Sequence, residues 1–254
     1  NHSIESAAAL LQLYATIFIY LPPPAAMVKA NGMTHSPSPI NGVIFDLDGT
    51  LINTLSAIGN AFNLALEEQG WDQHPLDRFA TFIGSGARVA ASRALPEAAR
   101  VDDAIDRLVA RQREIHEAIW KDEVAVYDGI PELLDYLAKN AIPSAVLTNK
   151  DEPAALACLA HCFPDHHFQT VHGRREGVAL KPDPTSANRI IDELGLPAGE
   201  IAMLGDTEVD LQTAAAAGML GVAVSWGFRT VDVLLETGCD ILLKDPLALI
   251  ERLS

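Results

Sequence analysis

The strongest constraint on the fold of this chain is a series of short apolar runs, each unbroken and each bounded by polar residues or glycine. Val43-Ile44-Phe45 runs into Asp46, and Ala145-Val146-Leu147 runs into Thr148. Ile201-Ala202-Met203-Leu204 leads to Gly205-Asp206, and Gly221-Val222-Ala223-Val224 and Ile241-Leu242-Leu243 follow. A strand with one wet face alternates apolar and polar residues, whereas a strand covered on both faces is apolar throughout. These runs therefore read as buried parallel strands. The stretches between them read as helices. Leu133, Leu134 and Leu137 share a face of Pro131 to Lys139, and Ile190, Ile191 and Leu194 do so within Thr185 to Leu194. Glu208 to Ala217 is rich in Ala and stops at Gly218, a good C-terminal signal. Strands alternating with helices imply an α/β chain with a doubly wound parallel sheet.

The alternation is interrupted between Leu51 and Val126. Ile58, Ala61, Phe62, Ala65 and Leu66 form one helical stripe, and Ile105, Leu108, Val109, Gln112, Ile115 and Ile119 nearly form another. Between them lies the glycine-broken turn Phe82-Ile83-Gly84-Ser85-Gly86-Ala87. A helical insert after the first strand would sit over the C-terminal strand ends, where open α/β sheets bind ligands.

Residues 1–39 read differently, as an extension and linker. Ala7 to Leu21 is apolar apart from Gln12 and Thr16 and ends at Pro22-Pro23-Pro24. That is shorter than the ~20 residues of a membrane span. No Lys or Arg precedes it, as a signal peptide would require, and the expected natural start is Met33 or Met27.

Charge narrows the function further. With 18 basic and 34 acidic residues the net charge is -16, which leaves no spare basic surface for a nucleic acid. A small anion would also be repelled at long range. A site for one must gather positive charge locally, from a metal, a lysine or helix N-termini. The three cysteines, Cys158, Cys162 and Cys239, make no disulfide framework and suit a reducing cytoplasm. Cys158, His161 and Cys162, with His166 and His167 beyond, make zinc conceivable, but no regular ligand pair completes the set. The simpler reading is a helix packing small sulfur side chains, followed by a polar loop.

Four constellations carry chemistry, all at strand ends or on turns. Asp46-Leu47-Asp48-Gly49-Thr50-Leu51 places two acids at i and i+2, one suited to nucleophilic attack and one to proton transfer. Gly49 lets the backbone approach an anion. A calcium loop would need further acids at regular spacing, which Thr50, Leu51 and Ile52 do not supply. In Thr148-Asn149-Lys150 a hydroxyl and an amide can hydrogen-bond phosphate oxygens, or simply cap the next helix. Lys181-Pro182-Asp183-Pro184 is a proline-stiffened turn that can aim one lysine inward. Gly205-Asp206-Thr207-Glu208-Val209-Asp210 sets two acids four residues apart at a helix start. Individually each has a bland alternative. Together they supply the hydroxyl, lysine and carboxylates that phosphoryl transfer with magnesium requires.

With these motifs in this order, the chain resembles the haloacid dehalogenase-like hydrolase superfamily from Ile40 onward, and within it the phosphoglycolate phosphatase group. The closer features are Thr148-Asn149-Lys150, Leu180-Lys181-Pro182-Asp183-Pro184, Ser225-Trp226-Gly227-Phe228-Arg229, and Ile83-Gly84-Ser85-Gly86 before Arg93-Ala94-Leu95. The resemblance implies a Rossmann-like core, residues 40–56 and 127–254, with a small helical cap, residues 57–126. It implies Asp46 as nucleophile, Asp48 as general acid/base, and Thr148, with Asn149, and Lys181 on the phosphoryl group. It implies Mg2+ held by Asp46, the Asp48 carbonyl and Asp206, with Asp210 in support. Haloacid dehalogenases lack the second acid, so Asp48 argues for phosphate rather than carbon–halogen chemistry. The family's frequent Asp-Ser is Asn53-Thr54 here, which removes one negative charge near the cap hinge. The substrate expected is a small phosphorylated metabolite, 2-phosphoglycolate first, with pyrophosphate, a nucleotide or a sugar phosphate as alternatives. A catalytically idle phospho-ligand binding protein is the rival from another class. Gly84, Ser85, Gly86 and Arg88 are the expected cap residues of substrate choice.

Overall fold

The computed structural model describes residues 39–253, so the reading of residues 1–38 lies outside the described residues. Among the described residues, six strands form one parallel sheet in the order β5-β4-β1-β6-β7-β8. They are β1 Gly42–Phe45, β4 Ser144–Asp151, β5 Thr170–Arg174, β6 Ile201–Gly205, β7 Leu220–Val224 and β8 Ile241–Leu243. Successive side chains of a strand point to opposite faces. Val43, Phe45, Val146, Ala202 and Leu204 accordingly pack into one apolar layer, and Ile44, Ala145, Leu147, Ile201 and Met203 into the other. All ten are at most 2% exposed, which is why the strands are apolar throughout rather than alternating.

Helices α5 Ile130–Lys139, α6 Glu152–Cys162, α7 Thr185–Leu194, α8 Glu208–Ala217 and α9 Val231–Thr237 connect the strands. Leu133, Leu134 and Leu137 of α5 join one layer, and Ile190 and Leu194 of α7 the other. The chain leaves β1 for β4 on one side and returns to β6 on the other. β1 therefore sits between two crossovers of opposite direction, at the kind of switch point where such sheets bind ligands. The doubly wound sheet expected from the apolar runs is thus present, with one addition. β5 is an edge strand whose Thr170-Val171-His172-Gly173 has no apolar run to announce it.

Four helices lie between β1 and β4: α1 Leu55–Glu68, α2 Leu76–Phe82, α3 Ala87–Ala94 and α4 Asp102–Glu123. They are bracketed by a two-stranded antiparallel ribbon, β2 Ile52–Asn53 with β3 Ala125–Val126. Their apolar faces make a cluster separate from the sheet layers, built on Phe62, Leu66, Phe79, Leu95 and Leu108. Phe62 and Phe79 stack at 5.8 Å between centroids. Fully burying such side chains is worth ~1.5–3 kcal/mol each, so the insert has a core of its own.

Cys158 and Cys162 lie on α6, where Cys158 packs into the sheet layer, and all three cysteines are free. His161 stands edge-on to Trp120, and His166 meets Ser144 Oγ at 3.1 Å. These contacts match a packed helix followed by a polar loop.

Candidate active site

The strand ends converge because the strands are parallel and in register. Asp46 directly follows β1, and its backbone N–H donates to the Leu204 carbonyl of β6 at 2.9 Å. Thr148 lies within β4, and Asp206 directly follows β6. β4 and β6 are the two neighbours of β1, so the three side chains meet at one sheet edge.

Lys181 is the centre of the cluster. Its Nζ donates to Asp210 Oδ1 at 2.6 Å and to the Leu147 carbonyl at 2.8 Å, and lies 2.9 Å from Asp46 Oδ1. Burial alone would favour its neutral form, but Asp210 and Asp46 hold its pKa above the ordinary lysine value. Asn149 fixes the turn that carries Lys181. Its Oδ1 accepts from the Lys181 N–H at 2.8 Å, and its Nδ2 donates to the Lys181 carbonyl at 3.1 Å and to the Gly84 carbonyl of the insert at 3.0 Å.

Asp210 does two jobs. One oxygen takes the lysine, and the other accepts from the Thr207 hydroxyl at 2.6 Å and the Thr207 N–H at 3.1 Å. The Thr207 N–H bond, returned by the Asp210 N–H to the Thr207 side chain, makes a capping box for α8. The acid reads as a helix-start residue because it is one, and the same geometry aims it at Lys181. Asp206 is fully buried, accepts from the Phe228 N–H at 2.7 Å, and lies 3.4 Å from Thr50 Oγ1. Close packing around it explains two glycines. Gly49 has φ +91, and a β-carbon there would collide with the Asp206 carboxylate. One at Gly227 would collide with Asp206 and the Gly49 carbonyl.

The electrostatics ask for a cation. Oxygens of Asp46, Asp206 and Asp210 all lie within 4.8 Å of one another. Burial first, and then the neighbouring carboxylates, push Asp46 up to about 7 against the pull of Lys181. The same causes, with Asp210 ahead of Asp46, push Asp206 well above the usual carboxylate range. One lysine does not offset three buried carboxylates. A hard divalent cation with oxygen ligands would do so, and the donor set fits Mg2+.

A cavity of about 420 Å³ opens between this cluster and the insert. Asp46, Asp48, Thr148, Asn149 and Lys150 line its floor, and Ile58, Phe62, Gly84, Gly86, Gln112 and His116 its roof. Lys150 Nζ donates to Asp48 Oδ1 at 3.1 Å. Burial opposes the Lys150 charge, yet Asp48 holds its pKa above normal. Of the residues the sequence pointed to, Lys181, Asp206 and Asp210 stand behind the floor, while Ser85 is not among the lining residues. Arg88 is directed elsewhere: it lies on the outer face of α3 and pairs with Asp102 and Asp106 of α4. Its guanidinium is satisfied in solvent at that rim, so it has no reason to turn inward. Gln112 and His116, by contrast, were missed as site residues. Gln112 showed only as a polar break in an apolar stripe, and His116 carried no signal.

Comparison with known proteins agrees with this architecture. Residues 43–224 match the haloacid dehalogenase-like hydrolase family. A phosphoglycolate phosphatase of Pectobacterium atrosepticum is 32% identical over 217 residues, 80% of this chain and 91% of that protein. One of Rhodospirillum rubrum is 37% identical over 194 residues, 73% of this chain and 80% of that protein. Among solved structures, a haloacid dehalogenase-like family protein of Streptococcus pneumoniae superposes with a TM-score of 0.75 at 24% identity, over 84% of this chain and 97% of that one, and so shares the fold. The chain belongs to the haloacid dehalogenase-like hydrolases, and its relatives make it a phosphatase of that family.

Proposed function

We propose that this phosphatase hydrolyses 2-phosphoglycolate, using Mg2+ and a covalent phosphoryl intermediate on Asp46. The observation that carries the chemistry is Lys181 bridging Asp46 and Asp210 just behind the floor of the cavity. The substrate follows from the relatives, which are phosphoglycolate phosphatases at 32% and 37% identity. Asp46, the Asp48 carbonyl and Asp206 would hold the metal, with Asp210 orienting Lys181. When bound, the cation supplies charge that keeps Asp46 ionised and offsets the phosphoryl oxygens.

The residues divide the reaction between them. An Asp46 oxygen attacks phosphorus, forming the acyl phosphate as the ester P–O bond breaks. Asp48 gives its proton to the leaving alkoxide. Asp48 then removes a proton from water, whose oxygen attacks phosphorus and releases Asp46 and inorganic phosphate. Thr148 and Lys181 hold the phosphoryl oxygens, and Asn149 positions Lys181 through its two backbone contacts. The helices over the cavity exclude bulk water.

Among the described residues no helix is long and apolar enough to cross a membrane. The free cysteines fit a reducing cytoplasm. A second substrate reading draws on the cavity itself. At about 420 Å³, with Ile58, Phe62 and Ile83 in its walls, it has room for a nucleotide or sugar leaving group.

The test is a panel of phosphate esters assayed with and without Mg2+, on the parent and on Asp46→Asn. The reading expects 2-phosphoglycolate to have the highest kcat/KM and Asp46→Asn to fold but not turn over. Multiple turnover by a well-folded Asp46→Asn protein would remove the nucleophile. Preference for another ester would remove the substrate and spare the chemistry. Binding without hydrolysis by the parent would indicate an idle binding protein.

A further inference from the structure

α4 buries two polar side chains where its amphipathic pattern calls for apolar ones. Gln112 and His116 are 6% and 8% exposed, sit one turn apart, and both line the cavity. Their neighbours on the buried face are Leu108, Val109 and Ile115. Buried polar groups are ordinarily paired within the protein. One of these is not: His116 Nε2 is fully enclosed and without a hydrogen-bond partner among the described residues, whereas the Gln112 amide is not among such orphaned atoms. Burial, and then the nearby Lys150 charge, keep the imidazole neutral, with a pKa lowered to about 4. A neutral imidazole offers one N–H and one acceptor, and the amide offers both kinds of group.

The position of the pair bears on its use. The phosphoryl-holding groups come from the sheet, so they meet a part that all phosphate esters share. Gln112 and His116 come from the roof, where the leaving group must lie. The roof also carries apolar Ile58, Phe62, Ala87 and Ala90, and the same helix adds Arg113, paired with Asp151, and Glu117 to the lining. A leaving group with no polar substituent would offer neither side chain a partner, and one carrying a carboxylate or hydroxyl would pair them.

We propose that Gln112 and His116 are specificity-determining residues that read a carboxylate or hydroxyl on the leaving group. The proposal rests on the phosphatase reading above but not on which ester is preferred. It also moves substrate choice from the Gly84–Gly86 turn to the long helix of the insert. Selectivity built this way is strong in one direction, because an ester lacking the polar group forfeits the hydrogen bonds that the imidazole and the amide can make.

The experiment uses the full chain with Mg2+ and the variants Gln112→Leu and His116→Leu. It measures kcat/KM for 2-phosphoglycolate, for the ester the parent prefers if that differs, and for p-nitrophenyl phosphate. The expected loss is ~10–100-fold with the preferred ester, on the scale of a hydrogen bond to a charged group, and several-fold smaller with the aryl ester. His116→Leu also removes an orphaned buried nitrogen, so the ligand-free protein should melt ~2–4 °C higher while losing selectivity. A merely structural histidine would lower the melting temperature and depress both substrates equally. Equal losses on the two esters, in variants that melt no lower than the parent, would overturn the proposal. If His116→Leu folds poorly, His116→Asn, which keeps a donor and an acceptor on a shorter side chain, takes its place. It should retain more selectivity than Gln112→Leu, and equal depression of both esters by both variants would again overturn the proposal. An inactive parent would instead remove the phosphatase reading, so the two failures are distinguishable.

Discussion

Removing the charge of Lys181 tests the centre of the site. Lys181→Met keeps the length of the stem and deletes the ammonium, whose side chain is only 3% exposed. Three contacts go at once, to Asp210 at 2.6 Å, the Leu147 carbonyl at 2.8 Å and Asp46 at 2.9 Å. Deleting one partner of a buried ion pair costs ~3–5 kcal/mol, because the other charge is left without compensation. Domains have ~5–15 kcal/mol in total, so the variant should remain folded at room temperature. At ~2–4 °C per kcal/mol, its melting temperature should fall by ~6–20 °C. Hydrolysis should drop further, by ~100–1,000-fold, since a donor aimed at developing charge is worth that much. Lys181→Arg should restore part of the stability but little of the rate, because a planar fork cannot replace a compact ammonium with three converging acceptors. Thermal denaturation followed by circular dichroism, with kcat at saturating Mg2+ and substrate, measures both effects. A Lys181→Met protein melting within ~2 °C of the parent would refute the desolvated carboxylate–lysine cluster. A parental kcat would refute its role on the phosphoryl group.

Three further outcomes follow from the same geometry. Asp206→Asn should raise the Mg2+ concentration needed for half-maximal activity by at least ~10–100-fold, and excess EDTA should stop the parent, whereas activity that survives verified metal removal would contradict a Mg2+ site. Gly227→Ala should cost ~1–3 kcal/mol and weaken Mg2+ activation, because its β-carbon has no room beside Asp206. Unchanged denaturant midpoints would show that the loop yields freely. The third outcome is acid sensitivity at His116, which is held at about 4 in the folded chain against an ordinary 6.5. The unfolded chain takes up the proton first, so the stability tied to the neutral ring is complete above ~6.5 and is lost as pH falls towards 4. That loss is at most ~3 kcal/mol, and His116→Leu should lack it. Parallel stability–pH curves for parent and variant between pH 7 and pH 4.5 would contradict the burial of that ring.

The sequence by itself determined the sheet and the ends of its central strands. Unbroken apolar runs suit strands covered on both faces, and Asp46, Thr148 and Asp206 sit at or beside the points where three of those runs stop. That information is local, carried by consecutive residues, and it survives without knowledge of any partner. β5 was not legible because an edge strand needs few apolar residues, and Val171 alone did not make a pattern. The roles of Asp210, Arg88, Gln112 and His116 were decided only by tertiary structure. Asp210 could have been a plain helix cap until the turn carrying Lys181 brought an ammonium to its free oxygen. Arg88 looked like a ligand group beside a glycine-rich turn until α4 offered it Asp102 and Asp106 on the outer face. Gln112 was a polar break in an apolar stripe, and His116 carried no signal at all, until four packed helices turned that stripe over the strand ends. Helix periodicity says which residues share a face, but what the face looks onto depends on contacts between segments far apart in the chain.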